Sequence, residues 1–129
     1  MNFVTGGSGL VGSHILLELV KKNESIVALK RTTTDLSAIK ELFSTNKLSS
    51  EFGNIKWVDG GLSDINVLIE HLNGCENIYH AAALVSFNSS DRLELIETNI
   101  EGTSNLVDAA LIIKPTKLIY LSSTSAIGK

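Results

Sequence analysis

Four glycines within seven residues, Gly6, Gly7, Gly9 and Gly12, stand where a short apolar strand (Asn2–Val4) turns into an apolar-periodic helix. Gly7-x-Gly9-x-x-Gly12 fits the dinucleotide fingerprint, and Gly6-x-x-Gly9-x-x-Gly12 fits equally well. Early glycines permit a tight turn, and a middle one lets the main chain approach a pyrophosphate without a Cβ. The last lets the helix pack closely on the strand. The helix then points its N-terminal amides and positive dipole end at the phosphates. A tight strand–helix turn in any α/β protein uses the same residues, so the spacing alone leaves both readings open. A second chemical feature is the basic pair Lys30-Arg31, which suits an added phosphate, Arg31 through a bidentate fork. A solvated basic turn is the plainer reading of that pair. Cys75, the single cysteine, has no histidine partner nearby and reads as a small semi-buried residue.

The elements that must position these groups alternate along the chain. Val11, Ile15, Leu16, Leu19 and Val20 form a helical stripe, and Ile26–Leu29 reads as a buried second strand. The unit has the roughly 30-residue length of a strand–helix–strand cradle. A polar turn (Arg31–Asp35) leads to a helix at Leu36–Phe43, and Ser44–Gly53 is polar and loop-like. Strand 3 is Ile55–Val58, a helix spans Asp64–Leu72 and strand 4 is Asn77–His80. Asp64 fits a helix-start residue. Leu93, Ile96, Ile100, Thr103, Val107 and Leu111 recur at near-helical spacing, predicting one long helix over Asp91–Ile113 that ends before Pro115. Strand 5 is Lys117–Ser122, with Leu118–Leu121 as its buried run. This alternation predicts a parallel sheet with helices on both faces. Its ligand lies beyond the carboxyl ends of the strands, where the glycine loop, Lys30-Arg31, His80–Ala83 and Ser122–Ser125 all fall.

Taken together, four motifs resemble the extended short-chain dehydrogenase/reductase family, also called the NAD-dependent epimerase/dehydratase family. They are Thr5-Gly6-Gly7-Ser8-Gly9-Leu10-Val11-Gly12, Tyr79-His80-Ala81-Ala82-Ala83, Asn99-Ile100-Glu101-Gly102-Thr103-x-Asn105-Leu106 and Leu121-Ser122-Ser123-Thr124-Ser125-Ala126-Ile127-Gly128. The resemblance covers essentially the whole chain and implies a three-layer Rossmann fold, cut off after strand 5. It implies that Thr5, Gly6, Gly7, Ser8, Gly9, Leu10, Val11 and Gly12 cradle the cofactor. Lys30, Arg31, Gly61, Leu62, Ala81, Ala82, Ala83, Asn99 and Ser122 would complete its site. Ser123 takes the catalytic Ser/Thr position and would hold a substrate oxygen. His80 is assigned packing and main-chain placement beside the cofactor, and Asn99 a structural role in the active site.

Two departures qualify the likeness. The family's Gly-Asp-Leu after strand 3 is Gly60-Gly61-Leu62 here, so no carboxylate at 61 meets the adenine, and Asp59 is an uncertain substitute. The family's Tyr-x-x-x-Lys is absent: Tyr79 is followed at that spacing by Ala83, and Tyr120 by Thr124. In relatives the pair lies beyond the strand-5 serine motif, so the chain is expected to be the N-terminal cofactor-binding part of a longer enzyme. The implied activity is hydride transfer between NADP (or NAD) and a carbonyl or alcohol carbon, dihydroflavonol-reductase-like in its details. A nucleotide-sugar epimerase or dehydratase is the enzymatic alternative, and a non-catalytic dinucleotide sensor or scaffold is the other. Lys30-Arg31, standing where NAD enzymes carry an acid, favours NADP.

With 129 residues and 43% hydrophobic content, the chain can bury one domain's core. A net charge of −3 and scattered cations give no nucleic-acid surface. No membrane partner and no metal are expected, and a lone cysteine suits a reducing, cytoplasmic setting. The expected partner is a small-molecule substrate. A bare sheet edge and uncovered helix faces would favour a homodimer.

Overall fold

Val4 pairs with Ala28 and Phe3 with Ile78 across adjacent strands, all four without exposed surface, at the centre of a five-stranded parallel sheet. The computed structural model describes residues 1–128. The strands are β1 (Asn2–Thr5), β2 (Ile26–Lys30), β3 (Ile55–Asp59), β4 (Asn77–His80) and β5 (Lys117–Tyr120), in the order β3-β2-β1-β4-β5. Every pair is parallel, with Thr5 level with Leu29 and with His80. Strand order reverses between β1 and β4, which opens a crevice at their carboxyl ends.

Helices cover both faces, which makes this a Rossmann-like α/β fold. On one face α1 (Leu10–Lys21) and α2 (Ser37–Thr45) bury Leu16, Leu17, Ile39 and Phe43 against Val4, Ile26 and Ala28. On the other, α3 (Ile65–Leu72) and α5 (Gly102–Ile113) bury Leu68, Leu72, Leu106 and Ala109 against Phe3, Val27, Leu29 and Ile78. Asp64 caps α3, accepting from the Asn66 and Val67 amides at 3.0 and 3.2 Å. Lys114, left-handed at φ 58°, ends α5 one residue before Pro115.

Several expectations are corrected. The stripe on α1 runs through Leu16, Leu17, Leu19 and Val20, while Val11 is half exposed at the helix mouth. The predicted long helix exists, but as α4 (Arg92–Ile96), a π-helical turn (Glu97–Glu101) and α5 in succession. Its buried face is Gly102, Leu106, Ala109 and Ala110, and Leu93, Ile100, Val107 and Leu111 look outward. Small residues decide this, because Gly102 rests directly on Leu62 and any Cβ there would collide with it. In addition, β5 stops at Tyr120 and is largely exposed at the edge of the sheet. Part of the expected loop Ser44–Gly53 is ordered as the end of α2 and a 3-10 turn (Glu51–Asn54), held by Phe52 edge-on to Phe43.

The two faces of α5 give opposite mutational outcomes. Leu106→Ala should cost about 2–5 kcal/mol in urea unfolding, as expected for a buried leucine. Leu111→Ser, at an exposed position, should stay within about 0.5 kcal/mol. Equal losses would contradict the assigned face.

Candidate functional site

Gly6 turns the chain out of β1 with φ +70°, directly beneath the strand end that follows β4. A Cβ on Gly6 would lie 2.5 Å from the Ala82 nitrogen, and one on Gly12 would overlap the Gly6 carbonyl oxygen. The Gly9 amide donates to that same carbonyl at 3.0 Å, closing the loop. Gly7 sits against Leu16 and the Trp57 ring, so it serves packing. Gly9 is the N-cap of α1, no side chain caps the helix, and its first turn holds no acid. The free amides of that turn therefore form a ready anion site. Of the two glycine registers, Gly6-x-x-Gly9-x-x-Gly12 carries turn, cradle and close packing together.

The loop opens into a cavity of about 500 Å³, within the range of roughly 300–1,000 Å³ usual for small-molecule sites. Thr5, Gly6, Ser8 and Gly9 line it from the end of β1 and its loop, Lys30 and Arg31 from the end of β2 and just beyond it, Gly61 and Leu62 from the segment after β3, and Ala81, Ala82 and Ala83 from the segment after β4. Gly7, Leu10, Val11, Gly12, Asn99, Ser122 and Ser123 do not line it. Leu10 and Val11 are exposed in the first turn of α1. Ser122 and Ser123 lie exposed beyond β5, where the Ser123 hydroxyl accepts from the Ser125 amide at 3.2 Å.

Several lining residues had not been singled out in the sequence. Thr33, Thr34 and Asp35 come from the turn after β2, and Glu97 and Thr98 from the π-helical turn. The first group could have been found by extending the strand-end rule through the whole loop. The second had no sequence signal, because it depends on one extra residue in a helical turn re-aiming its neighbours. Asn105 belongs to the long-helix motif but had no site role assigned to it. Its amide donates to the Leu62 carbonyl at 2.9 Å and sets that wall of the cavity.

Polar contacts brace the opposite wall. The Asn99 side chain accepts from the Leu84 amide and donates to the Leu84 carbonyl, both at 2.8 Å. His80 is fully buried between Thr5 and Thr103, with Nδ1 2.7 Å from the Thr5 hydroxyl and Nε2 2.9 Å from the Thr103 hydroxyl. Thr5 Oγ1 also accepts from the Ala82 amide at 3.3 Å. In one tautomer the Thr5 O–H donates to Nδ1 while His80 Nε2–H donates to Thr103. Burial lowers the His80 pKa from 6.5, which favours the neutral ring. Tyr120 stacks on its ring at 5.3 Å.

The two cations differ. Lys30 pairs with Asp59, its register partner on β3, which accounts for both residues. Among the described residues Arg31 has no carboxylate partner, and only its backbone amide is engaged, donating to Thr34 at 3.1 Å. Gly61 has room for a side chain, the nearest atom to a Cβ there being Ser63 Oγ at 3.5 Å. Cys75 is buried away from the cavity, and burial pushes its thiol up to about 11, which removes it as a nucleophile. Among the described residues no cluster of three or more metal-ligating side chains exists, and no helix is long and apolar enough to cross a membrane.

The histidine bridge has a pH signature. A group whose pKa is lower folded than unfolded stabilises the fold above its unfolded value and loses that contribution as pH falls. Stability in urea should therefore drop as pH is lowered below 6.5, ahead of carboxylate protonation. His80→Gln should lower stability at pH 7.5 and flatten that slope. An unchanged slope would remove His80 from the bridge.

Comparison with known proteins agrees with this geometry. The chain is 32% identical over 128 residues to the UDP-N-acetyl-alpha-D-glucosaminuronate decarboxylase of Bacillus cytotoxicus, covering 98% of this chain and 37% of that protein. It is 28% identical over 127 residues to the dihydroflavonol 4-reductase of Gerbera hybrida, covering 97% and 34%. It thus spans about a third of the length of the curated relatives it matches. Among solved structures, MoeE5 in complex with UDP-glucose and NAD superposes with a TM-score of 0.78 at 25% identity, over 98% of this chain and 38% of that one. The sequence model of the NAD dependent epimerase/dehydratase family matches residues 2–129, and the chain belongs to that family.

Proposed function

We propose that this chain is the cofactor-binding part of an NAD(P)-dependent oxidoreductase that interconverts a carbonyl and an alcohol. One observation carries the reading: the uncapped, acid-free N-terminus of α1 meets the cavity at its N-cap, Gly9, beside Gly6 and Ser8. When bound, the dinucleotide supplies or accepts the hydride. The amides of α1 hold its pyrophosphate, Leu62 and Gly61 flank the adenine, and Ala81–Ala83 lie along the remainder. Asn99 and His80 are positioning residues, acting through Leu84 and Ala82. Ser123 holds the substrate oxygen. The proton donor is not Tyr79 or Tyr120, which lack the paired lysine, and is contributed by residues outside these 129.

The cofactor is NADP. Lys30 is occupied by Asp59, which leaves Arg31, beside Thr33 and Thr34, for a 2′-phosphate. A second reading, transient oxidation of a nucleotide sugar, draws on the decarboxylase relative and on the UDP-glucose held by MoeE5. The single buried thiol favours a cytoplasmic location. The outward stripe of Leu93, Ile100, Val107 and Leu111 favours pairing with a second copy.

Trp57, the sole tryptophan, packs on Gly7 and is a built-in reporter. NADPH should quench its fluorescence and bind more tightly than NADH. Arg31→Ala should weaken NADPH at least about tenfold, as for loss of a charge-assisted contact, and leave NADH unchanged. A preference for NADH would overturn the NADP assignment, and failure of both to bind would overturn the function.

A further inference from the structure

An aspartyl or asparaginyl residue precedes glycine at two places, Asp59-Gly60 and Asn73-Gly74. At such a pair the glycine nitrogen can attack the side-chain carbonyl carbon and close a cyclic imide, because no Cβ crowds the ring. The fold treats the two pairs oppositely. Asp59 ends β3, and the Gly60 amide is committed to the Lys30 carbonyl at 2.9 Å. The Asp59 carboxylate is paired with Lys30, and an ionised carboxylate resists attack by an amide. A Cβ built on Gly60 would meet Val67 at 2.7 Å, so that peptide has no room to swing.

Asn73 and Gly74 instead lie exposed in the turn between α3 and β4. Among the described residues neither the Asn73 carboxamide nor the Gly74 amide has a hydrogen-bond partner. The turn is type II: Asn73 has φ −58° and ψ 123°, Gly74 has φ +78°, and the Cys75 amide donates to the Leu72 carbonyl at 2.9 Å. Positive φ after Asn73 calls for glycine, so the turn itself supplies the uncrowded nitrogen. No atom lies within 4 Å of a Cβ built on Gly74, and glycine accepts either sign of φ. Rotation about the Asn73 Cα–C bond, which carries the Gly74 nitrogen to the side-chain carbon, is opposed by the one hydrogen bond that closes the turn. Leu72 and Cys75, both buried, anchor the two ends meanwhile.

We propose that Asn73-Gly74 is a self-modification site, at which asparagine is converted to aspartate and isoaspartate in the folded protein. The Gly74 nitrogen bonds to Asn73 Cγ, the bond from Cγ to the carboxamide nitrogen breaks, and ammonia leaves with the Gly74 amide proton. Water then opens the imide at either carbonyl, giving aspartate or its β-linked isomer with no change of oxidation state. The isomer lengthens the main chain by a methylene between Leu72 and Cys75, whose side chains are 0% and 6% exposed. Both products put a carboxylate at the C-terminal end of α3, where the helix dipole disfavours it. The test incubates full-length protein at pH 8.5, folded and in urea, and maps conversion by peptide mass spectrometry with isoaspartate scored enzymatically. In folded protein Asn73 should convert at least tenfold faster than Asn88, which precedes serine, and than every other asparagine, giving both products. It should keep at least a tenth of its rate in urea, whereas Asp59 should form isoaspartate only when unfolded. Conversion no faster than at Asn88, a folded rate below a tenth of the unfolded one, aspartate without isoaspartate, or isoaspartate at Asp59 in folded protein overturns the proposal.

Discussion

The structure depends on a three-way backbone crossing at Gly6. The end of β1, the start of α1 and the strand end after β4 approach so closely that a Cβ at Gly6 or Gly12 would collide with main-chain atoms. Main chain cannot yield as a flexible side chain can. This crossing fixes how far α1 sits from the sheet, and therefore how Leu16 and Leu17 reach Val4 and Ala28. It also leaves the N-terminus of α1 bare, since a closer packing partner or a capping side chain would fill the cradle. Packing and anion binding are consequences of the same close approach.

Such a crossing needs its strands held at a fixed height, and the polar interior does this. Thr5 and His80 are register partners on adjacent strands, and Thr103 reaches them from α5. The bridge ties both central strands to the helix layer at the level where the cavity opens. Ala82 hangs from the same hydroxyl. Buried polar groups would cost stability if left unpaired, but each here has a partner, so the arrangement specifies one geometry at the sheet's carboxyl end.

What was legible in the sequence follows from which forces act locally. β4 was read to the residue and the other strands to within one or two at their ends; Phe3–Val4 and Ile26–Leu29, buried on both faces, are unbroken apolar runs. The glycine loop was legible because steric exclusion leaves only one residue type. The face of α5 was not. Both of its sides are apolar, and periodicity picks out the larger residues Leu93, Ile100, Val107 and Leu111, whereas close approach to Leu62 and the sheet selects Gly102, Ala109 and Ala110. The exposed β5 was missed for a related reason: apolar character marks what can be buried, and the covering element decides what is. Glu97 and Thr98 reach the cavity through a π-helical turn that leaves no compositional trace.

The basic pair after β2 shows how structure alters a chemical reading without changing the residues. Lys30 and Arg31 are adjacent in sequence and equivalent as charges, but strand alternation sends them to different surroundings. Lys30 still belongs to β2, and its register partner on β3 is Asp59, so a salt bridge forms across the sheet with the lysine largely covered. Lys30 nonetheless lines the cavity together with Arg31, so the two cations differ in partner and not in access. Arg31, one residue beyond the strand, has no register partner and turns with Thr33 and Thr34 into the cavity. Arg31 thus stands beside hydroxyl neighbours with no carboxylate partner among the described residues. The planar fork of arginine, which can grip a phosphate through two bonds at once, matters correspondingly more.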